Sequence, residues 1–172
     1  MVEVKLGRFT AQTDEPFVVF LVGARVNKFF AFSKWLPVSS AMQAMLKALY
    51  ENPQKGFLHG ESFFQLYPFT TLLLSYWRSF DDLELFARSK DDPHLGAWRR
   101  FNQAVGADGS VGIWHETYRV EPGKFETLYG NMPVFGLAAA TQHVPATGQR
   151  LTGRNRLTGR EETPAPPEVP QY

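Results

Sequence analysis

The sequence predicts an α+β protein whose antiparallel sheet carries helices on one face. Three observations predict it: an apolar run at FVVFLVGARV, two further apolar runs at FLHGESFFQLYPF and TLLLSYW, and helical periodicity in the segments between strands. Strand, helix, strand, strand, helix, strand is the order of the ferredoxin-like split βαβ unit.

Residues 17–26, FVVFLVGARV, are a nearly continuous β-branched and aromatic run, as in a strand buried on both faces. From Lys34 to Tyr50 the period changes. Pro37 suits a first helical turn, and Val38, Met42, Met45 and Leu49 recur at helical spacing beside Ala41 and Leu46, which predicts an amphipathic helix. ENPQKG carries turn chemistry, and Pro68 separates the next two strands, which are expected to pair as a hairpin. In SFDDLELFARSKDD, Asp81 and Glu84 have capping-box spacing and open a short helix; Asp92 and Pro93 then start a second one. His94, Trp98, Phe101 and Val105 share one face of that helix, which GADGS ends. VGIWHETYRV is the next strand, and after PGKFETLYGNMP the segment VFGLAAATQHV is expected as a last strand or extended strip.

Helices on one face leave the other apolar and open. A second copy of the same sheet is its economical cover, so a homodimer is expected. Residues 1–147 are expected to form one domain and 148–172 a tail, because GQRLTGRNRLTGR repeats RLTGR and EETPAPPEVPQY is polar and proline-rich. Such a composition predicts a flexible or loosely docked segment, with an anion-binding or partner-wrapping arm as the sharper alternative.

The formal charge of +1 provides no global field, and basic residues are not interleaved with surface aromatics outside the tail. Neither a nucleic-acid nor a membrane partner is therefore expected. With no cysteine, disulfides, thiolate metal sites and cysteine nucleophiles are excluded. The start lacks a signal-peptide pattern and no apolar run is long enough to span a bilayer, so a cytoplasmic location is expected. There is no HxxxH, GxSxG, GxGxxG or GxxxxGK[ST], which speaks against a metal site, serine hydrolysis and nucleotide-dependent transfer.

In GIWHETYRV, Val111, Ile113, His115 and Thr117 point one way, and Gly112, Trp114, Glu116 and Tyr118 the other. With the Val/Ile side buried, His115 projects inward, where an unpaired polar ring costs about 1–3 kcal/mol. Its partner is then a core hydrogen-bonding group, a bound small molecule on which it does acid/base work, or a haem iron. His94, near the positive end of a helix dipole, favours the neutral imidazole and is a second base candidate. His59 and His143 read as surface or hydrogen-bonded structural residues. Trp77, Trp98 and Trp114 are either pocket walls or packing residues.

The stretches YWRSFDDLELFARS, PHLGAWRRF, GIWHETYRV and LYGNMP resemble the monooxygenase-like family related to the fumagillin-pathway antibiotic-biosynthesis monooxygenase, in the dimeric α+β barrel superfamily. The resemblance covers most of residues 15–145. It implies a ferredoxin-like subunit, a dimer made by facing sheets, and a cavity between sheet and helices where an apolar metabolite is oxidised, often without metal or flavin. The same blocks are more distantly similar to haem-containing aldoxime dehydratases. By that match His115 takes the place of the haem-ligating histidine, while Met132 stands where those enzymes carry a second histidine. Methionine cannot shuttle a proton, which speaks against dehydration chemistry.

The leading expectation is thus a small-molecule oxidative tailoring enzyme needing no cofactor. His115 or His94 is the base, and Asn131 orients an oxyanion. Trp77, Trp98, Phe101, Tyr118 and Met132 contact the apolar substrate. A haem-binding lyase or peroxygenase with His115 as axial ligand is one alternative. A non-catalytic ligand-binding or assembly module is the other.

Overall fold

The computed structural model describes residues 2–33, 35, 45–88 and 108–158. The chain divides into two compact units, Phe17–Arg119 and Met1–Pro16 with Val120–Tyr172. The strands, in chain order, are β1 (Lys5–Gln12), β2 (Phe17–Val26), β3 (Phe57–Gln65), β4 (Thr70–Trp77), β5 (Val111–Val120), β6 (Tyr129–Met132) and β7 (Gln142–Pro145).

In the unit 17–119 the sheet order is β3-β4-β2-β5. Its first strand, β2, is therefore flanked by its third and fourth, with the second at the edge, which is the ferredoxin-like split βαβ arrangement. β2 runs antiparallel to β4 in the register Val18↔Trp77, Phe20↔Ser75, Val22↔Leu73 and Ala24↔Thr71. Even-numbered side chains of β2 hence share a face with odd-numbered ones of β4. That face holds the core: Val18, Leu73 and Trp77 with Phe57 of β3, closed over by Leu46 and Leu49 from the helical residues 45–50 and by Leu83 and Phe86 from the helix Phe80–Arg88. Each large side chain so buried contributes roughly 1.5–3 kcal/mol. Met45 packs at the margin of this cluster, in line with the expected helical face; Val38, Ala41 and Met42 lie outside the described residues.

The expected turn at ENPQKG is a single 3-10 turn, Pro53–Lys55, ended by Gly56 in the left-handed region at φ 81°. Gly56 is held there from both sides. Its carbonyl accepts from the Arg78 N–H at 2.8 Å, and a Cβ at this position would overlap the Asp82 carboxyl. The helix Phe80–Arg88 is capped one residue before its start, not by the expected pair Asp81 and Glu84. Ser79 Oγ accepts from the Asp82 N–H at 3.0 Å and donates to the Asp82 carboxylate at 2.7 Å. Both spacings occur in the sequence; the chain closing on Gly56 selects Asp82, which also takes two hydrogen bonds from Arg78.

The other unit contains a sheet that the sequence did not announce, in the order β6-β1-β7. β1 lies antiparallel to both neighbours, pairing Phe9 with Tyr129 on one side and with Pro145 on the other. Thr127 fastens it: Thr10 Oγ1 donates to the Thr127 carbonyl and the Ala11 N–H to Thr127 Oγ1, both at 2.8 Å. Of VFGLAAATQHV only the last three residues are strand, in β7 (Gln142–Pro145), because Leu137–Ala140 forms a short helix with Leu137 and Ala138 buried. A run of alanines costs least in helical geometry.

Residues 148–158 are not loose. After a 3-10 turn at Gly148–Arg150, the helix Gly153–Thr158 presents Arg156, whose Nε donates to Glu126 Oε1 at 2.7 Å and whose Nη1 donates to the carbonyls of Arg150 and Leu151, each at 2.9 Å. The boundary expected at 147 follows a change in composition, whereas pairing and bridging place 148–158 in the same unit as 120–147. Residues 159–172 lie outside the described residues.

Two consequences for stability can be measured. Gly56→Ala has to move either the left-handed turn or the Asp82 carboxyl, and is expected to cost about 1–3 kcal/mol in urea unfolding. Arg78 first, and then Ser79, hold the Asp82 carboxyl below its ordinary value of 3.8. The ionised form is thus favoured by folding: the stabilisation is complete above the unfolded carboxylate's pKa and is lost as pH falls through the lowered folded value. Asp82→Asn should remove part of the fall in Tm below about pH 4, read from thermal melts across the acid range.

Candidate functional site

β5 is an edge strand, with β2 as its sheet neighbour. Its first half behaves as the alternation requires. Val111 is buried against Ala24, and Ile113 and Trp35 pack on that pair. On the opposite face the Trp114 indole lies over Gly23, where a Cβ would come within 2.6 Å of the indole nitrogen and of the Thr71 carbonyl. Gly23 is needed for this close approach.

Further along β5, the His115 ring sits 5.9 Å from the ring of Phe20, tilted by 44°. Phe20 belongs to the core-bearing face, so His115 looks toward the helix side of the sheet, as its spacing from Val111 and Ile113 predicts. Its burial does not follow. His115 is exposed, because the core is centred on β2, β3 and β4 while the second half of β5 runs along the sheet's outer edge. Among the described residues no hydrogen bond reaches the ring.

The other described histidines are committed elsewhere. His59 Nε2 pairs with Glu61 Oε1 at 2.9 Å and its Nδ1 lies 3.2 Å from the Tyr50 hydroxyl. His143 stacks on Phe9 at 4.3 Å and 17°, and its Nε2 is sealed from solvent with no hydrogen-bond partner among the described residues.

The remaining expected residues that are described belong to separate elements. Trp77 is 2% exposed, packed between Phe57 and Phe86, with its indole N–H donating to Ser75 Oγ at 3.1 Å. Among the described residues it packs as part of the core. Tyr118 stands half-exposed on the face opposite His115 and donates to Glu116 Oε2 at 2.5 Å. Asn131 lies on β6 of the other unit at φ 51°, with its side-chain oxygen accepting from the Gly7 N–H at 2.9 Å, and Met132 pairs with Lys5 beside it. His94, Trp98 and Phe101 lie outside the described residues.

Sequence reasoning missed two residues. Phe20 sits inside a run that reads as uniformly apolar, and only the register with β4 shows that it shares the face of His115. Thr71, opposite Ala24 on that face, buries its hydroxyl with no hydrogen-bond partner among the described residues. An orphaned hydroxyl costs about 1–3 kcal/mol in a protein interior.

Residues 17–137 match the family described as Monooxygenase af470-like. The chain belongs to that family. The match begins at the first residue of β2 and takes in β3, β4, β5 and β6, so family membership spans the whole ferredoxin-like sheet and the His115 strand. No curated protein matches the chain. Among solved structures it is similar to an aldoxime dehydratase, with 22% identity and a TM-score of 0.52 over 70% of this chain and 38% of that one. It is also similar to SnoaB, a cofactor-independent oxygenase from Streptomyces nogalater (15% identity, TM-score 0.40, 59% of this chain and 90% of that one). A dimeric ferredoxin-like protein from an uncultured marine organism is a further likeness (14% identity, TM-score 0.46, 62% and 96%). At these identities the likeness concerns the fold.

Hydrogen bonding to Glu116, reinforced by that carboxylate's charge, raises the Tyr118 phenol above its ordinary value of 10.0. Ultraviolet titration of the wild type against Tyr118→Phe should therefore show this phenol ionising late, and Glu116→Gln should bring it back toward the ordinary value.

Proposed function

We propose that this family member is a cofactor-independent oxygenase acting on an apolar, ionisable small molecule, with His115 as the base. Two findings support the reading: membership of a monooxygenase family and an imidazole on the helix side of β5 that lies against the Phe20 ring with no hydrogen bond to it among the described residues. A histidine held by a carboxylate, like His59, has a structural task already; among the described residues no carboxylate holds His115.

The chemistry needs little from the protein. The imidazole takes a proton from the substrate, leaving the electron pair on carbon. That carbon is oxidised as dioxygen accepts the pair, forming a C–O bond and a peroxide anion, which recovers the proton from the imidazolium. A substrate carbon that still bears hydrogen then loses water and becomes a carbonyl. Phe20 supplies an apolar floor beside the ring. Within this reading His94, Trp98 and Phe101 would complete the pocket, and a homodimer would cover the outer face of the sheet, where Val19, Leu21, Leu72 and Leu74 are only partly buried.

Haem fits this position less well. An axial histidine needs an apolar enclosure on both sides of the macrocycle, and His115 is exposed with Phe20 as its ring neighbour among the described residues.

Oxygen uptake measured with a panel of hydroxynaphthalenes tests the reading. His115→Ala is expected to lower kcat by about 10²–10⁴ with KM nearly unchanged, while wild-type protein stays without a Soret band. Full turnover in His115→Ala overturns the base assignment. An intense Soret band that His115→Ala removes assigns the imidazole to haem instead.

A further inference from the structure

At one end of the 17–119 unit two loops meet. The Val26 N–H donates to the Phe69 carbonyl at 2.9 Å, and the Trp35 ring lies 5.2 Å from that of Phe69. The segment after β2 is thereby held beside the turn joining β3 to β4. Trp35 also donates its indole N–H to the Phe29 carbonyl at 3.0 Å, which braces the first loop from within.

The apolar side chains of these loops point outward. Phe29, Phe30 and Phe32 contact one another edge to face at 5.6–6.3 Å, yet remain 53%, 86% and 43% exposed. The end of β3 adds Phe64 at 71% exposure, and the turn after it adds Leu66 and Tyr67 at 76% and 91%. Arg25 and Lys28 stand exposed behind them, and the Lys28 ammonium contacts a backbone carbonyl, that of Asp108 at 3.2 Å, which leaves its charge unneutralised by that contact.

Apolar surface of this extent at loop tips marks an interaction site. Its shape selects the occupant. Rings exposed to the degree of Phe30 and Tyr67 protrude, and a protruding ring needs a matching pocket on a protein partner but none in fluid hydrocarbon. Aromatic rings settle at the headgroup level of a bilayer, and basic residues just behind them meet anionic headgroups. We propose that this end of the molecule is a peripheral membrane contact that inserts Phe30, Leu66 and Tyr67 into an anionic bilayer surface. No helix among the described residues is long and apolar enough to cross a membrane, so the contact is superficial. The expectation of no membrane partner rests on a charge averaged over the chain, which is blind to a local arrangement of rings and cations. The proposal is independent of the oxygenase reading.

Flotation of the full chain with vesicles tests it, using phosphatidylcholine alone or roughly seven parts to three of phosphatidylserine. The wild type should float with the anionic vesicles, and less so at about 0.5 M salt. Phe30→Ser combined with Tyr67→Ser should reduce partitioning about tenfold or more. Both positions are exposed, so Tm and circular dichroism should stay as in the wild type. Leu151→Ser, at an exposed apolar position of the other unit, should bind as the wild type does. A wild type that stays at the bottom of the gradient with both vesicle types overturns the proposal, as does a double variant that floats undiminished. Concentration-dependent association in sedimentation velocity, lost in the double variant and unaccompanied by flotation, overturns it too and assigns the patch to a second copy.

Discussion

The antiparallel register of β2 with β4 is the constraint on which every other placement depends. Val18 opposite Trp77 and Val22 opposite Leu73 put the large apolar side chains on one face. A slip of one residue in β4 would exchange Trp77 and Leu73 for Tyr76 and Leu72 and turn the largest core side chains toward the wrong side. With Trp77, Leu73 and Leu49 each worth roughly 1.5–3 kcal/mol when buried, such a slip costs more than a domain of this size can spare. The register also decides the chemistry. Phe20 is on the core-bearing face because Ser75 is opposite it, and the ring contact between Phe20 and His115 carries that assignment across to β5.

What was legible in the sequence follows from how local the signal is. β2, β3, β4 and β5 announce themselves through β-branched and aromatic runs, and Leu46 and Leu49 through helical spacing, because each signal needs only neighbours along the chain. β1 is different. In KLGRFTAQ only Thr10 and Ala11 are buried, and the strand owes its existence to Thr127, Tyr129 and Pro145, which are more than a hundred residues away. Ser79 and Asp82 compete with Asp81 and Glu84 as caps on equal spacing, and the tie is broken by Gly56, which no local pattern can weigh.

The same distinction governs the candidate site. The direction of His115 is a matter of alternation and could be read. Its exposure is a matter of which strand lies at the edge, and that depends on the whole sheet. Exposure changes the argument for its role without removing it. A buried imidazole draws attention because it must be satisfied, whereas this one does so because it lies exposed against the Phe20 ring with no hydrogen bond among the described residues, while Glu61 and Tyr50 engage His59 and Phe9 stacks on His143. Trp77 shows the converse: an aromatic that suits a pocket wall by type is instead fixed by the core and by Ser75.

β3 forms the far border of the same sheet, and a border strand normally offers its free backbone groups to any passing chain. At Gly60 the offer is withdrawn. The Tyr50 hydroxyl accepts from the Gly60 N–H and donates to the Gly60 carbonyl, taking both hands of the rung, while the His59–Glu61 pair sits alongside. Lateral accretion of a further strand would have to evict a tyrosine whose ring is also set edge-on against Phe57. One phenol therefore closes this rung of the rim to a further strand.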